Sequence, residues 1–219
     1  DVQGSDATAF LNKIYCNDFA KLDVGKTRYG LMLREDGIVM DDGTAARLAE
    51  DHFVVTTTTA NAVSVYRHME FARQVLWPDL DVQLISITES WAQYAVAGPN
   101  ARKLLRKIVD NEFDISNEAF PFMACGIVTV LGGLRARLFR ISFSGELAYE
   151  IAVPTRYGEA MMRALIEAAE EFGGCAYGTE ALGVMRIEKG HVAGNELNGT
   201  TTALNLGLDR MVSTRKDSI

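Results

Sequence analysis

The spacing of apolar and polar positions predicts regular secondary structure along most of the chain. Apolar residues that recur every three or four positions favour helices over residues 7–14, 61–75, 101–109, 155–172 and 179–189. Alternating or β-branched runs favour strands over residues 27–33, 38–40, 44–49, 53–58, 81–88, 91–97, 127–131, 134–142 and 148–153. The two kinds of element are therefore mixed from one end of the sequence to the other.

Most of the predicted strands come in pairs that a tight turn can join. Glu35-Asp36-Gly37 separates the first pair, and Gly132-Gly133 separates a later one. Because hairpins alternate with helices, without strict strand–helix–strand repetition, we expect an α+β fold with mainly antiparallel sheets. No linker, charge block or low-complexity tract interrupts the pattern, which indicates one domain over residues 1–219.

The charge balance argues against two classes of partner. The 219 residues include 22 Lys and Arg against 29 Asp and Glu, a formal net charge of −7. This chain lacks the positive excess that neutralises a phosphate backbone or an anionic lipid surface. Its longest apolar runs, such as residues 126–131, are far shorter than the roughly twenty residues of a membrane helix. We therefore expect neither nucleic acid nor a membrane as partner.

The cysteines and the chain ends suggest where the protein works and how the sequence is bounded. Cys16, Cys125 and Cys175 are widely spaced and form no CxxC pair, which favours reduced thiols and a cytoplasmic location. The sequence begins at Asp1 without a signal-type segment and stops at Lys216-Asp217-Ser218-Ile219 without a polar tail. We expect a domain truncated at both ends.

Several common catalytic signatures are missing from the sequence. It contains no GxGxxG after a strand, no GxxxxGK[ST], no HExxH and no GxSxG. His52, His68 and His191 are far apart and have no cysteine or carboxylate at ligand spacing, so we predict no metal site. Dinucleotide, nucleoside triphosphate, zinc and serine-hydrolase chemistry are thereby disfavoured.

Three segments remain as candidates for chemistry. Asp41-Asp42 ends the second arm of a hairpin whose first arm carries Tyr29, and strand alternation directs only one of the two acids into a pocket. The segment 143–150 places an aromatic residue and two acids around a glycine turn. Arg186 follows an apolar helical stripe and is a candidate for binding an anion. Taken singly, each also fits an ordinary surface: a solvated turn, a hairpin with exposed glutamates and an i,i+3 charge cluster.

Together these segments resemble one family in order and spacing. With residues 25–29, 36–42 and 97–101, they resemble the tetrahydrofolate-binding domain of the glycine cleavage T-protein (aminomethyltransferase) superfamily over essentially the whole chain. The tail is the most discriminating part, because residues 186–190, 199–202, 206–208 and Lys216-Asp217 resemble the C-terminal part of the alpha subunits of heterotetrameric sarcosine oxidases. Dimethylglycine and sarcosine dehydrogenases are similar to a slightly lesser degree.

The resemblance implies a folate pocket in which two acids contact the cofactor. Asp42 matches the catalytic carboxylate that hydrogen-bonds near N10 of tetrahydrofolate and orients the amine that captures a one-carbon unit. Glu150 matches the glutamate that pairs with the amino-pyrimidine edge of the pterin, where one carboxylate accepts two parallel N–H donors.

The remaining site residues are implied by the same resemblance. Tyr29 stands at the position of a pocket tyrosine, and Phe143 stands where the T-protein has Tyr, so that stacking is kept and a hydroxyl is lost. Thr58 replaces an Asn of the T-protein pattern, and Asn61 matches the same wall of the pocket. Arg186 aligns with an arginine that faces the acidic tail of the cofactor.

The implied activity is that of a one-carbon acceptor within a larger oxidoreductase. A flavin elsewhere in that enzyme oxidises sarcosine, and this domain captures the released unit as 5,10-methylenetetrahydrofolate. FAD, FMN and NAD then belong to other parts of the enzyme, and other sarcosine oxidase subunits are the expected protein partners.

Several alternatives to this activity stay open. They are a true aminomethyltransferase, a folate domain of a dimethylglycine or sarcosine dehydrogenase, a non-catalytic folate-binding protein of the iron–sulfur repair type, and a structural subunit that has lost its pocket. The repair type carries Lys-Gly-Cys-Tyr where this chain has Lys189-Gly190-His191-Val192.

Overall fold

The computed structural model describes residues 1–216. Asp217, part of the tail motif, lies outside the described residues. Contacts within the chain group into two compact units: one comprises Asp1–Ser86 with the described residues from Val192 onward, and the other comprises Ile87–His191. The second unit is therefore inserted in sequence between two segments of the first. The assignment of residues 1–219 to one domain stays a prediction.

The first unit contains an antiparallel sheet of five strands in the order β2-β3-β4-β1-β5. Its elements are β1 (Val2–Gln3), α1 (Ala7–Ile14), β2 (Lys26–Leu33), β3 (Val39–Ala49), β4 (His52–Val55), α2 (Ala62–Phe71) and β5 (Gln83–Leu84). The apolar faces of α1 and α2 pack on side chains of the sheet such as Met32 and Phe53. Phe10 and Leu11, both fully buried, contribute the largest apolar side chains of α1 to this core.

The second unit contains an antiparallel sheet of four strands in the order β6-β9-β8-β7. Its elements are β6 (Trp91–Ala97), α3 (Ala101–Leu105), β7 (Cys125–Val130), β8 (Leu134–Phe139), β9 (Ala148–Pro154), α4 (Gly158–Glu170) and α5 (Thr179–Lys189). Its core joins one face of the sheet to α3 and α4, through residues such as Ile151, Leu105 and Met161. In the part of the chain that the structure describes, no helix combines the length and apolar character needed to cross a membrane.

The predicted α+β class with antiparallel sheets is confirmed. Helices over 7–14 and 179–189 and the strand over 91–97 agree with the structure at both ends. The predicted helix over 61–75 corresponds to α2, which continues as a π-helical turn over Ala72–Leu76. Long, strongly periodic segments are thus the ones for which local pattern was sufficient.

The prediction of two separate strands over 38–40 and 44–49 was wrong. Both belong to β3, which runs unbroken through Asp41, Asp42 and Gly43. Two acids and a glycine have low strand propensity, and the sequence pattern therefore indicated a break there. Pairing with β2, in which Leu31 faces Asp42 and Gly30 faces Gly43, keeps the strand continuous.

Several further predictions were too long, among them the strand over 134–142, which ends at Phe139, and the helix over 155–172, whose α-helical part is Gly158–Glu170. The strand over 81–88 is reduced to Gln83–Leu84, because the carboxylate of Asp81 accepts hydrogen bonds from the backbone N–H and hydroxyl of Ser5 and its carbonyl accepts one from the N–H of Asp6. The helix over 101–109 ends at Leu105, where the N–H groups of Lys107 and Ile108 bond the carbonyls three residues earlier in a tighter turn. The strand over 53–58 ends at Val55, and the hydroxyl of Thr56 accepts a hydrogen bond from the backbone N–H of Thr44.

Candidate functional site

Asp41 and Asp42 are both buried in the first unit, with relative exposures of 1% and 9%. The hydroxyl of Tyr29 donates a hydrogen bond of 2.5 Å to Oδ2 of Asp42, and the hydroxyl of Thr58 donates one of 3.1 Å to Oδ1. Each oxygen of Asp42 thereby receives one donor, which offsets the cost of burying the carboxylate. The structure brings Tyr29, Asp42 and Thr58 together, and this part of the chain is not a solvated turn.

Asp41 has its own set of donors beside Asp42. The backbone N–H of Thr58 donates to Oδ2 of Asp41 at 3.2 Å, and Nδ2 of Asn61 donates to Oδ1 at 3.0 Å. Asn61 therefore contacts Asp41, whereas the sequence pattern associated it with the wall of a pocket around Asp42. Thr58 connects the two acids, since its backbone binds one and its side chain binds the other.

Burial controls protonation in this cluster. It raises the pKa of the Asp41 carboxyl, an effect that the hydrogen bonds from Asn61 and Thr58 oppose. It also raises the pKa of the Tyr29 phenol, with further contributions from the hydrogen bond to Asp42 and the charges of both acids. Tyr15 is fully buried, and burial followed by the charges of Asp41 and Asp42 raises its pKa strongly. Both phenols are therefore protonated at neutral pH.

Two facing glycines make room for this arrangement. A Cβ atom on Gly30 would lie 2.8 Å from the ring of Tyr15, and one on Gly43 would lie 2.0 Å from the carbonyl oxygen of Thr56. Real Cβ contacts are longer than either distance, so any larger residue would displace the tyrosine or the chain after β4. The glycines thus allow the segment that carries Thr58 to approach β3.

The second unit holds a cavity of about 210 Å³ on the face of its sheet that points away from the core. Ala95 and Ala97 on β6 lie opposite Glu150 and Ala148 on β9, and all four side chains point to this face. The alanines leave a shallow floor beside the long side chain of Glu150. The other side of the cavity is lined by Phe143, Ser144, Tyr177 and Leu182.

Glu150 is the acid of this cavity. Burial raises the pKa of its carboxyl, and a hydrogen bond from the amide of Gln93 opposes that rise. Nε2 of Gln93 donates to Oε2 of Glu150. The pKa of the Tyr177 phenol is raised by burial and then by the charge of Glu150, which places this hydroxyl near the carboxylate. The cavity thus places the carboxylate of Glu150, which when ionised only accepts hydrogen bonds, beside apolar side chains.

Phe143 is held in the cavity wall by the segment that follows α5. The rings of Phe143 and His191 meet edge to face, with centroids 4.7 Å apart. The ammonium of Lys189 donates to the carbonyl of Ser142, and its side chain lies 3.2 Å from where a Cβ of Gly145 would stand. These contacts fix the turn at Gly145, where φ is +90°.

Arg186 is not among the residues that line the cavity. Its guanidinium donates to the carbonyl of His191 at 3.2 Å, at the end of α5. Among the predicted residues of the second unit, the structure therefore brings Phe143 and Glu150 together in the cavity, whereas Arg186 lies on α5 one turn after Leu182, which lines it.

The sequence pattern missed four residues that contribute to these two groups. Tyr15 and Gln93 are separated by 26 and 57 positions from the acids they accompany, Asp41 and Glu150, and only the tertiary structure places them there. Asp41 was noticed as a neighbour of Asp42 but was not selected. Tyr177 carried no signal that single-sequence reasoning can use.

The fold places the chain in a class of α+β proteins that the solved structures already contain. The chain superposes on the glycine cleavage system aminomethyltransferase T from Bartonella henselae with a TM-score of 0.82 and 26% identity, over 97% of this chain and 54% of that one. The two proteins therefore share the T-protein fold.

The family follows from a sequence comparison. The model of the GCVT N-terminal domain matches residues 1–216, and the chain belongs to this family. The resemblance on which the site residues were predicted is thereby confirmed at the level of the family.

Similar proteins include sarcosine oxidase alpha subunits and aminomethyltransferases. The chain is 59% identical to sarcosine oxidase subunit alpha of Rhizobium meliloti and 46% identical to that of Corynebacterium sp. strain P-1, over 99% and 100% of its length. It is 30% identical to an aminomethyltransferase of Geobacillus over 99% of its length. The chain spans 22% and 23% of the two alpha subunits and 57% of the aminomethyltransferase.

Proposed function

We propose that this chain is the tetrahydrofolate-binding region of a sarcosine oxidase alpha subunit. The observation that carries the proposal is the cavity of the second unit, in which Glu150 stands between an alanine floor and the aromatic side chains of Phe143 and Tyr177. Membership of the GCVT N-terminal domain family and the 59% identity to a named alpha subunit support it.

The cavity suits one ring system of the cofactor. Drug-sized ligands occupy sites of about 300–1,000 Å³, whereas this cavity has a volume of about 210 Å³. A flat bicyclic ring fits between alanines and aromatic side chains, and the rest of the ligand must lie outside. The carboxylate of Glu150 keeps free acceptor positions beside the bond from Gln93, so it can receive paired N–H groups from an amino-pyrimidine edge.

Asp42 is our candidate for the catalytic carboxylate of the first unit. Tyr29 donates to one of its two oxygens and Thr58 donates to the other. Together these bonds fix the orientation of the carboxylate. A carboxylate held in this way still accepts a hydrogen bond and stabilises positive charge on an amine. Bound tetrahydrofolate supplies the nitrogen nucleophiles that take up formaldehyde, with loss of water, as 5,10-methylenetetrahydrofolate.

The rest of the proposed protein performs the oxidation. We place the flavin and nicotinamide cofactors, and the removal of electrons from sarcosine, in parts of the alpha subunit outside this chain and in other subunits, in the cytoplasm. The named relatives support this division, since the chain spans about a fifth of their length. On this proposal the chain is one region of a longer, hetero-oligomeric enzyme.

Aminomethyltransferase activity is the second candidate. The close superposition on the T-protein of Bartonella henselae favours it. The higher identity to sarcosine oxidase alpha subunits, 59% against 30%, makes it the weaker of the two. Transfer of a one-carbon unit from a lipoyl carrier, assayed with the full-length protein, distinguishes the two candidates.

Calorimetry with 5-formyltetrahydrofolate, a stable analogue, tests the folate site in the full-length protein. We expect Glu150→Gln to weaken binding by at least roughly tenfold, because an amide presents its own N–H groups to the donors of the ligand. The matched control is Glu146→Gln, an exposed glutamate on the turn before β9, which should bind like the wild type. Absence of binding by the wild-type protein would refute the proposal.

A further inference from the structure

Gln93 and Glu150 are diagonal neighbours on the two adjacent strands that form the cavity floor. Gln93 lies opposite Ala152 on β9, two positions along from Ala95, which lies opposite Glu150. Side chains two positions apart on a strand point to the same face. The amide of Gln93 therefore reaches the carboxylate of Glu150 across the sheet.

The chemistry of the two groups fixes the direction of this contact. An ionised carboxylate only accepts hydrogen bonds, so the amide must present its N–H to Oε2 of Glu150. The bond holds the carboxylate rotamer and leaves Oε1 directed to other donors. It also favours the ionised form of the acid, in opposition to burial.

Few other titratable groups act on Glu150. The phenol of Tyr177, which stays protonated, faces it from the segment before α5. On β8, Phe139 lies opposite Glu150, and Arg137 lies opposite Ala152 on the same face, with its guanidinium 4.1 Å from the ring centre of Trp91. Burial lowers the pKa of Arg137 to about 10, so it stays charged below pH 8. The side chains of Phe143 and Ser144 on the turn before β9 and of Leu182 on α5 do not titrate. The hydrogen bond from Gln93 is thus the interaction that favours the ionised form of Glu150 against the effect of burial.

We infer that Gln93 is a positioning residue that sets the orientation and the charge of Glu150 for a ligand with paired N–H donors. The inference rests on the proposed folate site. Gln93 acts through Glu150 and belongs to none of the motifs that indicated folate binding. Because its side chain is exposed on an edge strand, its replacement should leave the fold intact.

The pH dependence of binding distinguishes this role from simple packing. Loss of the donor leaves burial unopposed, so the pKa of Glu150 rises further and the acid protonates at a higher pH. Binding needs the ionised acid. Therefore binding by a variant without the donor falls off at a higher pH as the solution is acidified, whereas a packing defect weakens binding equally at every pH.

The experiment measures the affinity of the full-length protein for 5-formyltetrahydrofolate between about pH 5 and pH 8. Gln93→Met has a similar shape without the N–H, and we expect roughly tenfold weaker binding at pH 7 and an acid limb moved to higher pH. Gln93→Lys restores a donor and should return the acid limb toward or below its wild-type position. Gln74→Met, which removes a similar amide from Glu70 in the first unit, is the matched control and should leave both quantities unchanged.

The outcomes separate the two proposals. If the wild type binds and Glu150→Gln does not, while Gln93→Met retains the wild-type affinity and pH profile, the role of Gln93 is refuted and the folate site stands. Weaker binding by Gln93→Met with an unmoved acid limb also refutes it. If the wild-type protein fails to bind at any pH, the folate site itself is refuted.

Discussion

Asp42 receives a hydrogen bond on each carboxylate oxygen, which orients the group before any ligand arrives. The two donors come from opposite sides in sequence, Tyr29 on β2 and Thr58 after β4. Burial keeps the Tyr29 phenol protonated, because it raises the pKa of that group. The hydroxyl therefore remains a donor to Asp42 at neutral pH. The orientation of this carboxylate depends on single, replaceable donors.

Tyr29→Phe should lower the free energy of unfolding by about 1–2 kcal/mol, since one oxygen of the buried Asp42 loses its donor and Thr58 still serves the other. Urea unfolding at pH 7 measures the change. Tyr66→Phe is the control, because the Tyr66 hydroxyl is exposed: it donates to the backbone carbonyl of Leu84 at 3.2 Å and interacts with the carboxylate of Glu70, which is not buried. An equal loss of unfolding free energy in the two variants would contradict the conclusion that the hydrogen bond to the buried Asp42 stabilises the protein more than an exposed one.

At the scale of elements, the continuity of β3 positions both acids of the first unit. The strand carries Asp41, Asp42 and Gly43 in register with β2, and the chain leaving β4 folds back beside them. The absence of a side chain at Gly43 lets that chain approach to contact distance. The geometry of the acidic cluster is thus a property of three strands and one close backbone approach.

Gly43→Ala should destabilise the protein by about 2 kcal/mol or more, because the new Cβ would lie 2.0 Å from the carbonyl of Thr56 and must move the backbone. Thermal or urea unfolding measures the loss. Gly126→Ala is the matched strand control: its Cβ would lie 3.8 Å from the ring of Phe120, so we expect a change within about 1 kcal/mol. Similar costs at the two positions would show that strand propensity, and not the close approach, explains Gly43.

At the scale of the whole molecule, the first unit is completed by a segment that returns after the second unit. Thr201 accepts a backbone hydrogen bond of 2.9 Å from Val39, and Ala203 packs with Leu31 and Val39. Lys216 donates to the carbonyls of Asn12, Tyr15 and Asn17 at the end of α1. A cation there binds carbonyls at the end of the helix and offsets the negative end of the helix dipole.

Lys216→Met should lower the stability of the first unit by about 1–2 kcal/mol, because the carbonyls after α1 lose a shared donor while the apolar part of the side chain is kept. Hydrogen exchange of the α1 amides, combined with urea unfolding, measures it. Lys21→Met removes an ammonium whose ion pair with Asp18 is on the surface, with 79% of the lysine side chain exposed, and should cost little. Unchanged exchange in α1 on loss of Lys216 would contradict this role.

The sequence predicted site residues that belong to recognisable motifs, but not the contacts that these residues make in space. The resemblance selected Tyr29, Asp42 and Thr58, and the structure places them in one cluster. It also selected Phe143 and Glu150, which share one cavity. It did not reveal that Asn61 contacts Asp41, or that Arg186 donates to the carbonyl of His191, because a motif gives the order of residues along the chain and no distances in space.

By itself, the sequence determined the helices with strong periodicity, the hairpins, the antiparallel α+β class and the family. These features depend on neighbours within a few positions, or on ordered motifs that a single chain displays. Only the tertiary structure decided that Asp41 and Asp42 are both buried within one unbroken strand, and that Gln93 binds Glu150. Pairing between strands brings such residues together across tens of positions, and the resulting burial and hydrogen bonds, which no local pattern encodes, determine which acids are charged and where they point.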